Sequence, residues 1–174
     1  MNNAVEVALF DKEGYQPLVI EPEIEYVSWR LNKVGQAAMF LPYTDPACTK
    51  KNLQLGNRIL LRFGNGLPDF GGVIDEPRRR RVDGVSFVAY TGEKILEWRR
   101  TAETATFSSV YAGTIFQKIL AVANGTADTG IRVGGVHAAG ERLTQTYHLR
   151  RIFDIYGSLS RLSGQDFVVL PVFE

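Results

Sequence analysis

The chain has 174 residues, enough for one domain or one domain and part of another, and its 45% hydrophobic and 22% charged residues are ordinary for a folded soluble protein. A formal net charge of +1 gives no global reason to expect a nucleic-acid or anionic-membrane partner, and the single cysteine, Cys48, excludes an internal disulfide and any cysteine-built metal site. The start MNNAVEVALFDKEG lacks the features of a signal peptide, and no apolar run approaches the roughly 20 residues that span a bilayer, so a soluble protein made in a reducing cytoplasm is expected.

Residues 4–10 alternate Val5, Val7 and Leu9 against Glu6, Ala8 and Phe10, which predicts a first strand, and a turn over residues 11–14 follows. Residues 17–20 read as a second strand ended by Glu21-Pro22. Residues 23–31 read as a long third strand, with Val27 and Trp29 on its expected buried face. A turn over residues 32–35 leads to a fourth strand over 36–41, stopped by Pro42. Thr44-Asp45-Pro46 places a capping residue before a proline, so residues 43–53 are expected to hold a short helical turn.

The stretch from Gly56 to Arg100 organises the rest. Over residues 57–63, Ile59, Leu61 and Phe63 share one strand face, with Leu60 and Arg62 on the other, and Asn65-Gly66 supplies a tight hairpin turn. Residues 70–75 form the next expected strand, in which Gly71-Gly72 predicts a bulge or bend. Val82-Asp83-Gly84 marks another turn, after which Val85, Phe87 and Ala89 alternate with Ser86, Val88 and Tyr90. Strands recurring at this spacing are the pattern of a barrel or sandwich.

After Gly92 the pattern changes. Residues 93–100 predict a short amphipathic helix. Residues 111–124 predict a second, with Ile115, Ile119, Leu120 and Ala123 at helical spacing and Asn124-Gly125 as its stop. Residues 125–142 are loop-like, with one strand candidate at 131–133. A third helix is expected over 149–162, ending at Ser163-Gly164, and a last strand over 166–173. The fold class is therefore mainly β with flanking helices (α+β). Residues 1–100 form an antiparallel barrel domain with a short terminal helix, and residues 101–174 pack on it, continue it or open a second domain. A chain that stops at Glu174 directly after a strand suggests a tucked C-terminal strand or a piece of a longer polypeptide.

Few residues offer chemistry. Arg78, Arg79, Arg80 and Arg81 are the only charge run, yet strand alternation sends Arg78 and Arg80 opposite to Arg79 and Arg81, and Asp75, Glu76 and Asp83 flank them. Together with Arg58 and Arg62 they are the candidates for inter-subunit or lumen contact. Phe63-Gly64-Asn65-Gly66 is followed by a strand rather than the helix a phosphate loop needs, and no Gly-Lys-Ser/Thr occurs. His137 and His148 lack further ligands at workable spacing. Tyr156-Gly157-Ser158-Leu159-Ser160 lacks the second glycine of a nucleophile elbow. Neither an enzyme nor a cofactor or metal site is expected. The aromatic set Phe10, Trp29, Phe40, Phe63, Phe70, Phe87, Tyr90 and Trp98 sits mostly among aliphatic neighbours, as core residues do.

Trp29-Arg30-Leu31-Asn32 with Gly35, Ala38, Phe40, Leu41 and Pro42, then Leu55-Gly56-Asn57-Arg58-Ile59, Phe70-Gly71-Gly72-Val73-Ile74, Arg78 to Arg81 and Tyr90 through Leu96 to Arg99-Arg100 form a recognisable succession. It resembles the N-terminal part of baseplate hub proteins of long-tailed bacteriophages, the proteins that begin the tail tube. The helix centred after Tyr111 and the helix before Gly164, followed by Phe167, resemble the next segment of such hubs. The resemblance implies a tail-tube-like β-barrel flanked by a helix, associating side by side into a ring that lines a channel. It implies a homo-oligomer, trimer or hexamer, that meets tail tube protein, distal tail protein, tape measure or spike and fibre proteins. DNA would meet it only in passage, with no membrane involved, and the place of action would be the virion tail after assembly in the host cytoplasm. The alternative is a small β-barrel nucleic-acid-binding module that uses the Arg78–Arg81 hairpin and exposed aromatics, a monomer or dimer with salt-dependent affinity.

Overall fold

The computed structural model describes residues 5–64, 66–75 and 79–171. The chain divides into two units, one of Met1–Arg30, Val34–Gly92 and Leu170–Glu174, the other of Leu31–Lys33 and Glu93–Val169.

The first unit holds β1 (Glu6–Phe10), β2 (Leu18–Ile20), β3 (Glu23–Ser28), β4 (Gln36–Pro42), β5 (Arg58–Arg62), β6 (Phe70–Ile74), β7 (Arg79–Arg80) and β8 (Gly84–Thr91). They form one antiparallel sheet in the order β2-β1-β5-β6-β8-β4-β3, with β7 also on β8. β2 and β3 lie at opposite ends of that order yet are joined by Glu21 and Pro22 alone. Laid flat, six inter-strand steps of about 4.8 Å would part the ends by about 29 Å. Three Cα steps of about 3.8 Å allow no more than about 11 Å between Ile20 and Glu23. The sheet therefore rolls up. Of the expected barrel, the described residues show a rolled antiparallel sheet, in which no ladder joins β2 to β3.

The rolled sheet encloses a core to which Val7, Leu9, Met39, Leu41, Ile59, Leu61, Phe70, Ile74 and Phe87 contribute, the inward faces that the alternation of β1, β5 and β8 predicts. β3 departs from its expected alternation. Its register shifts between Ile24, opposite Met39, and Tyr26, opposite Ala38, so Ile24 and Val27 both pack on the core although they lie three positions apart. Trp29 is not buried as expected but 39% exposed, its ring edge-on to Phe63 at 5.4 Å. Residues 43–53 form turns, of which the last closes as a single helical turn, the Leu53 amide donating to the Thr49 carbonyl at 3.1 Å. Asp45 Oδ1 accepts the Ala47 amide at 2.7 Å, and the buried Asn57 side chain donates to the Lys51 and Asn52 carbonyls, so Ala47 and Leu53 are held in the core. Gly71-Gly72 is not a bulge, since both residues pair in register with β5. The constraint is close approach: a Cβ on Gly72 would lie 2.5 Å from the Tyr90 carbonyl oxygen and 2.8 Å from the Phe70 ring. The Asn65 half of the expected Asn65-Gly66 turn lies outside the described residues.

The second unit holds α1 (Glu93–Trp98), β9 (Ala105–Tyr111), α2 (Ala112–Thr126), β10 (Arg142–Tyr147) and α3 (Ile152–Ser163). β9 and β10 form a separate antiparallel pair that the sequence reading missed. The register shift between Leu143 and Gln145, with Ser109 at φ 55 donating its amide to Thr144 Oγ1, breaks the alternation that would have shown them. The expected strand at 131–133 is irregular, as are residues 166–171 of the expected last strand, whose residues 172–173 lie outside the described residues. α2 runs through Gly125 instead of stopping there, and α3 ends as expected at Gly164, which takes φ 67. Leu96, Ile115, Ile119, Ile152, Ile155 and Leu159 form the core. Asn32 clamps the unit, accepting the Phe167 amide at 2.7 Å and donating to Asp166.

Two outcomes follow. Gly72→Ala is expected to cost about 1–3 kcal/mol in urea unfolding through overpacking, while Gly64→Ala, with open space around its Cβ, stays near wild type. Tyr156, whose hydroxyl donates to the Phe116 carbonyl at 2.7 Å, has its ionisation pushed well above the ordinary 10.0 by burial. Its contribution to stability is therefore complete below pH 10.0 and is lost as pH climbs beyond it, because the unfolded chain releases that proton first. Absorbance titration of folded protein should show Tyr156 silent until the chain unfolds.

Candidate interaction surface

On the outward face of the first unit, an open depression of about 590 Å³ is lined by Tyr26, Ala38, Val88 and Tyr90 and edged by Glu25, Arg80 and Arg81. The register makes it. Ala38 sits between Tyr26 on β3 and Val88 on β8, so small and aromatic side chains share that face. Arg81 crosses the mouth, paired to Glu25 at 2.9 Å and set over the Phe40 ring at 5.2 Å.

Of the six predicted arginines, the five described ones do not converge on one site. Arg58 donates from Nε to the Lys12 carbonyl at 2.9 Å, and Arg62 pairs with Glu6 at 3.7 Å across β5 and β1. In the backbone ladder Arg79 pairs with Ser86 and Arg80 with Val85 of β8, and Arg80 is exposed. Arg78 lies outside the described residues. Of the aromatic set, Phe70 and Phe87 lie in the core and Phe63 packs against it, Tyr90 lines the outward depression and Phe40 lies under Arg81, and Trp29 and Trp98 remain well exposed.

Groups with chemical potential are dispersed. Cys48 is half-buried and donates to the Leu41 carbonyl at 3.5 Å, and burial, aided by the Asp45 charge, pushes its thiol up, away from the reactive thiolate. His148 Nδ1 lies 2.8 Å from Thr104 Oγ1, while His137 offers its carbonyl to Gln165. Among the described residues no group of three His, Cys, Asp or Glu could hold a metal, and no helix is long and apolar enough to cross a membrane. In the second unit a small apolar cavity of about 100 Å³ lies between Phe116, Leu120, Ile131 and Phe167.

Sequence reasoning missed a second basic locus. Residues 99–101 and 150–152 come together through an isolated antiparallel bridge between Arg100 and Arg151, flanked by bonds from the Thr101 amide to the Arg150 carbonyl and from the Ile152 amide to the Arg99 carbonyl, each 2.9 Å. Two Arg-Arg pairs, at 99–100 and 150–151, were its signal, fifty residues apart. Opposed to it in charge, Glu21, Glu23 and Glu25 are exposed along the β3 edge.

No protein-family model matches the chain, and no curated protein does. Solved structures do. Prophage tail protein gp18 from Listeria monocytogenes EGD-e superposes with a TM-score of 0.63 at 11% identity, over 91% of this chain and 46% of that one. The 43 kDa tail protein of prophage MuSo2 from Shewanella oneidensis gives 0.53 at 14% identity, over 91% and 47%. The chain has the fold of these prophage tail proteins. It spans a little under half the length of each, so the tail-protein fold seen here is that of one portion of a longer relative.

Because the Arg81 contacts are half in solvent, Arg81→Ala should lower unfolding stability by no more than about 1 kcal/mol, less at high salt. Urea titrations at two salt concentrations check this, with the already exposed Arg80→Ala as the neutral reference.

Proposed function

We propose that this chain is a structural component of a bacteriophage tail, a hub or tube-initiating subunit that associates side by side with copies of itself into a trimeric or hexameric ring around a channel. The observation that carries this reading is the fold, shared over nine-tenths of the chain with two prophage tail proteins. The sheet edges support it. A rolled sheet with two unpaired edges presents rows of backbone donors and acceptors, and association in a ring removes such edges without closing the barrel within one chain. Its partners would be neighbouring tail components, its place the virion tail, and its action geometric rather than enzymatic. DNA would pass rather than bind. The nucleic-acid alternative needs the Arg78–Arg81 hairpin free for phosphates, and it has less support because Arg81 faces the Glu25 carboxylate.

Light scattering across a concentration series to about 1 mM at near-physiological salt is the test, since a contact weaker than that carries less than about 4 kcal/mol. A trimer or hexamer mass is the expected result. A monomer throughout overturns the ring, and salt-dependent binding of duplex DNA by that monomer would favour the binding module.

A further inference from the structure

Arg100 and Arg151 stand directly opposite each other across a two-strand bridge, which puts their side chains on one face. Like charges in that position repel, and both residues are exposed, with no carboxylate in ion-pair contact with either among the described residues. Arg99 and Arg150, next in sequence, raise the local potential further, and the buried Arg99 Nε takes no hydrogen bond among the described residues. Beside the arginines lie two large apolar side chains turned to solvent, Leu149 at 51% and Trp98 at 45% exposure. Leu149 also holds φ 47, a left-handed conformation that a leucine seldom adopts, while its carbonyl accepts from Arg100. The surface asks for two things in one ligand: carboxylates at guanidinium spacing and an apolar neighbour.

The chain carries one such ligand itself. Val19 pairs with Ala8 and points away from the core, 64% exposed. Glu21 and Glu23 follow at spacing two, and Glu21 precedes a proline, a position that favours extended backbone. An exposed apolar residue and two exposed carboxylates thus follow one another at spacing two through the link from β2 to β3, and neither Glu21 nor Glu23 has an ion-pair partner among the described residues. Basic residues exceed acidic ones in the second unit, and the reverse holds in the first.

We infer that the Val19–Glu21–Glu23 strip of one copy docks on the Arg100–Arg151 pair of another, the carboxylates lying between the opposed guanidiniums and Val19 against Leu149. The inference rests on the ring reading and names the surfaces that meet in it. A second copy is favoured over a nucleic acid because a phosphate backbone would leave Leu149 and Trp98 exposed. The contact is heterologous, so each copy offers one half to each neighbour.

Charge reversal tests it, read as the mass of the native particle against concentration. Arg100→Glu with Arg151→Glu, and separately Glu21→Arg with Glu23→Arg, should each raise the dissociation constant at least about tenfold at low salt. Mixing the two variants one to one should restore even-numbered rings, and combining all four changes in one chain should restore any ring. Circular dichroism and melting temperature should stay at wild type, because the four side chains are exposed. A wild-type ring indifferent to each reversal, or weakened by reversal and not restored by the second, overturns this contact and leaves the ring reading standing. A wild-type monomer overturns both. Loss of melting temperature at unchanged mass, or of salt-dependent DNA binding at unchanged mass, also overturns the contact, by assigning the arginines to an intrachain pair or to phosphates.

Discussion

The shortest connection in the first unit decides most of its form. Glu21 and Pro22 join the two strands that lie farthest apart in the sheet, and no flat sheet can satisfy them. Rolling the sheet brings inward residues from its successive strands into one enclosed core, and the turns of residues 43–53 contribute Ala47 and Leu53 to it. It also demands close backbone approach where β6 runs beside β8, which is why Gly72 carries no side chain against the Tyr90 carbonyl. The same link carries Pro22, which has no amide to donate, and among the described residues no ladder joins β2 to β3 across it.

Where side chains alternate and backbone pairing is regular, the sequence was legible. Ile59, Leu61 and Phe63, or Val85, Phe87 and Ala89, announce their inward face without help from the fold. Legibility failed where a bulge changes parity. In β3 the extra residue lets Ile24 and Val27 share a face, and in β9 the left-handed Ser109 separates Phe107 from Val110, so a period-two search finds no strand. It failed too at 166–171, where an apolar run reads as a strand. In the structure the Phe167 and Val169 amides are taken by the side chains of Asn32 and Glu93, leaving no ladder to join. The candidate arginines were visible as a run, but their partners were not. Arg81 finds Glu25 fifty-six residues away, a pairing set by the fold alone.

Charges on this chain do different work according to what opposes them. Glu6 opposite Arg62 on adjacent strands is a cross-strand ion pair that fits the register of β1 and β5. Arg100 opposite Arg151 is the reverse case, a like-charge pair held by backbone bonds on either side of it. The backbone bonds offset the repulsion of the two guanidiniums, and neither is in ion-pair contact with a carboxylate among the described residues. Small apolar exposures are common on any protein, but Trp98 and Leu149 next to paired arginines make the composition that buried interface centres favour, aromatic and arginine together.

Edge strands must be guarded, and charge is one guard. Two β3 edges meeting in a symmetric dimer would bring glutamate rows together, and repulsion disfavours that closed, isologous association. The same glutamates accept a basic surface without penalty. An edge that rejects its own copy and accepts a different face of the same protein can be satisfied only head to tail. Head-to-tail contacts generate rings when their rotation closes and filaments when it does not. In the ring proposed above, the acidic edge would thus act on two levels: it would keep the rolled sheet from pairing indiscriminately, and it would bias the subunit toward head-to-tail association.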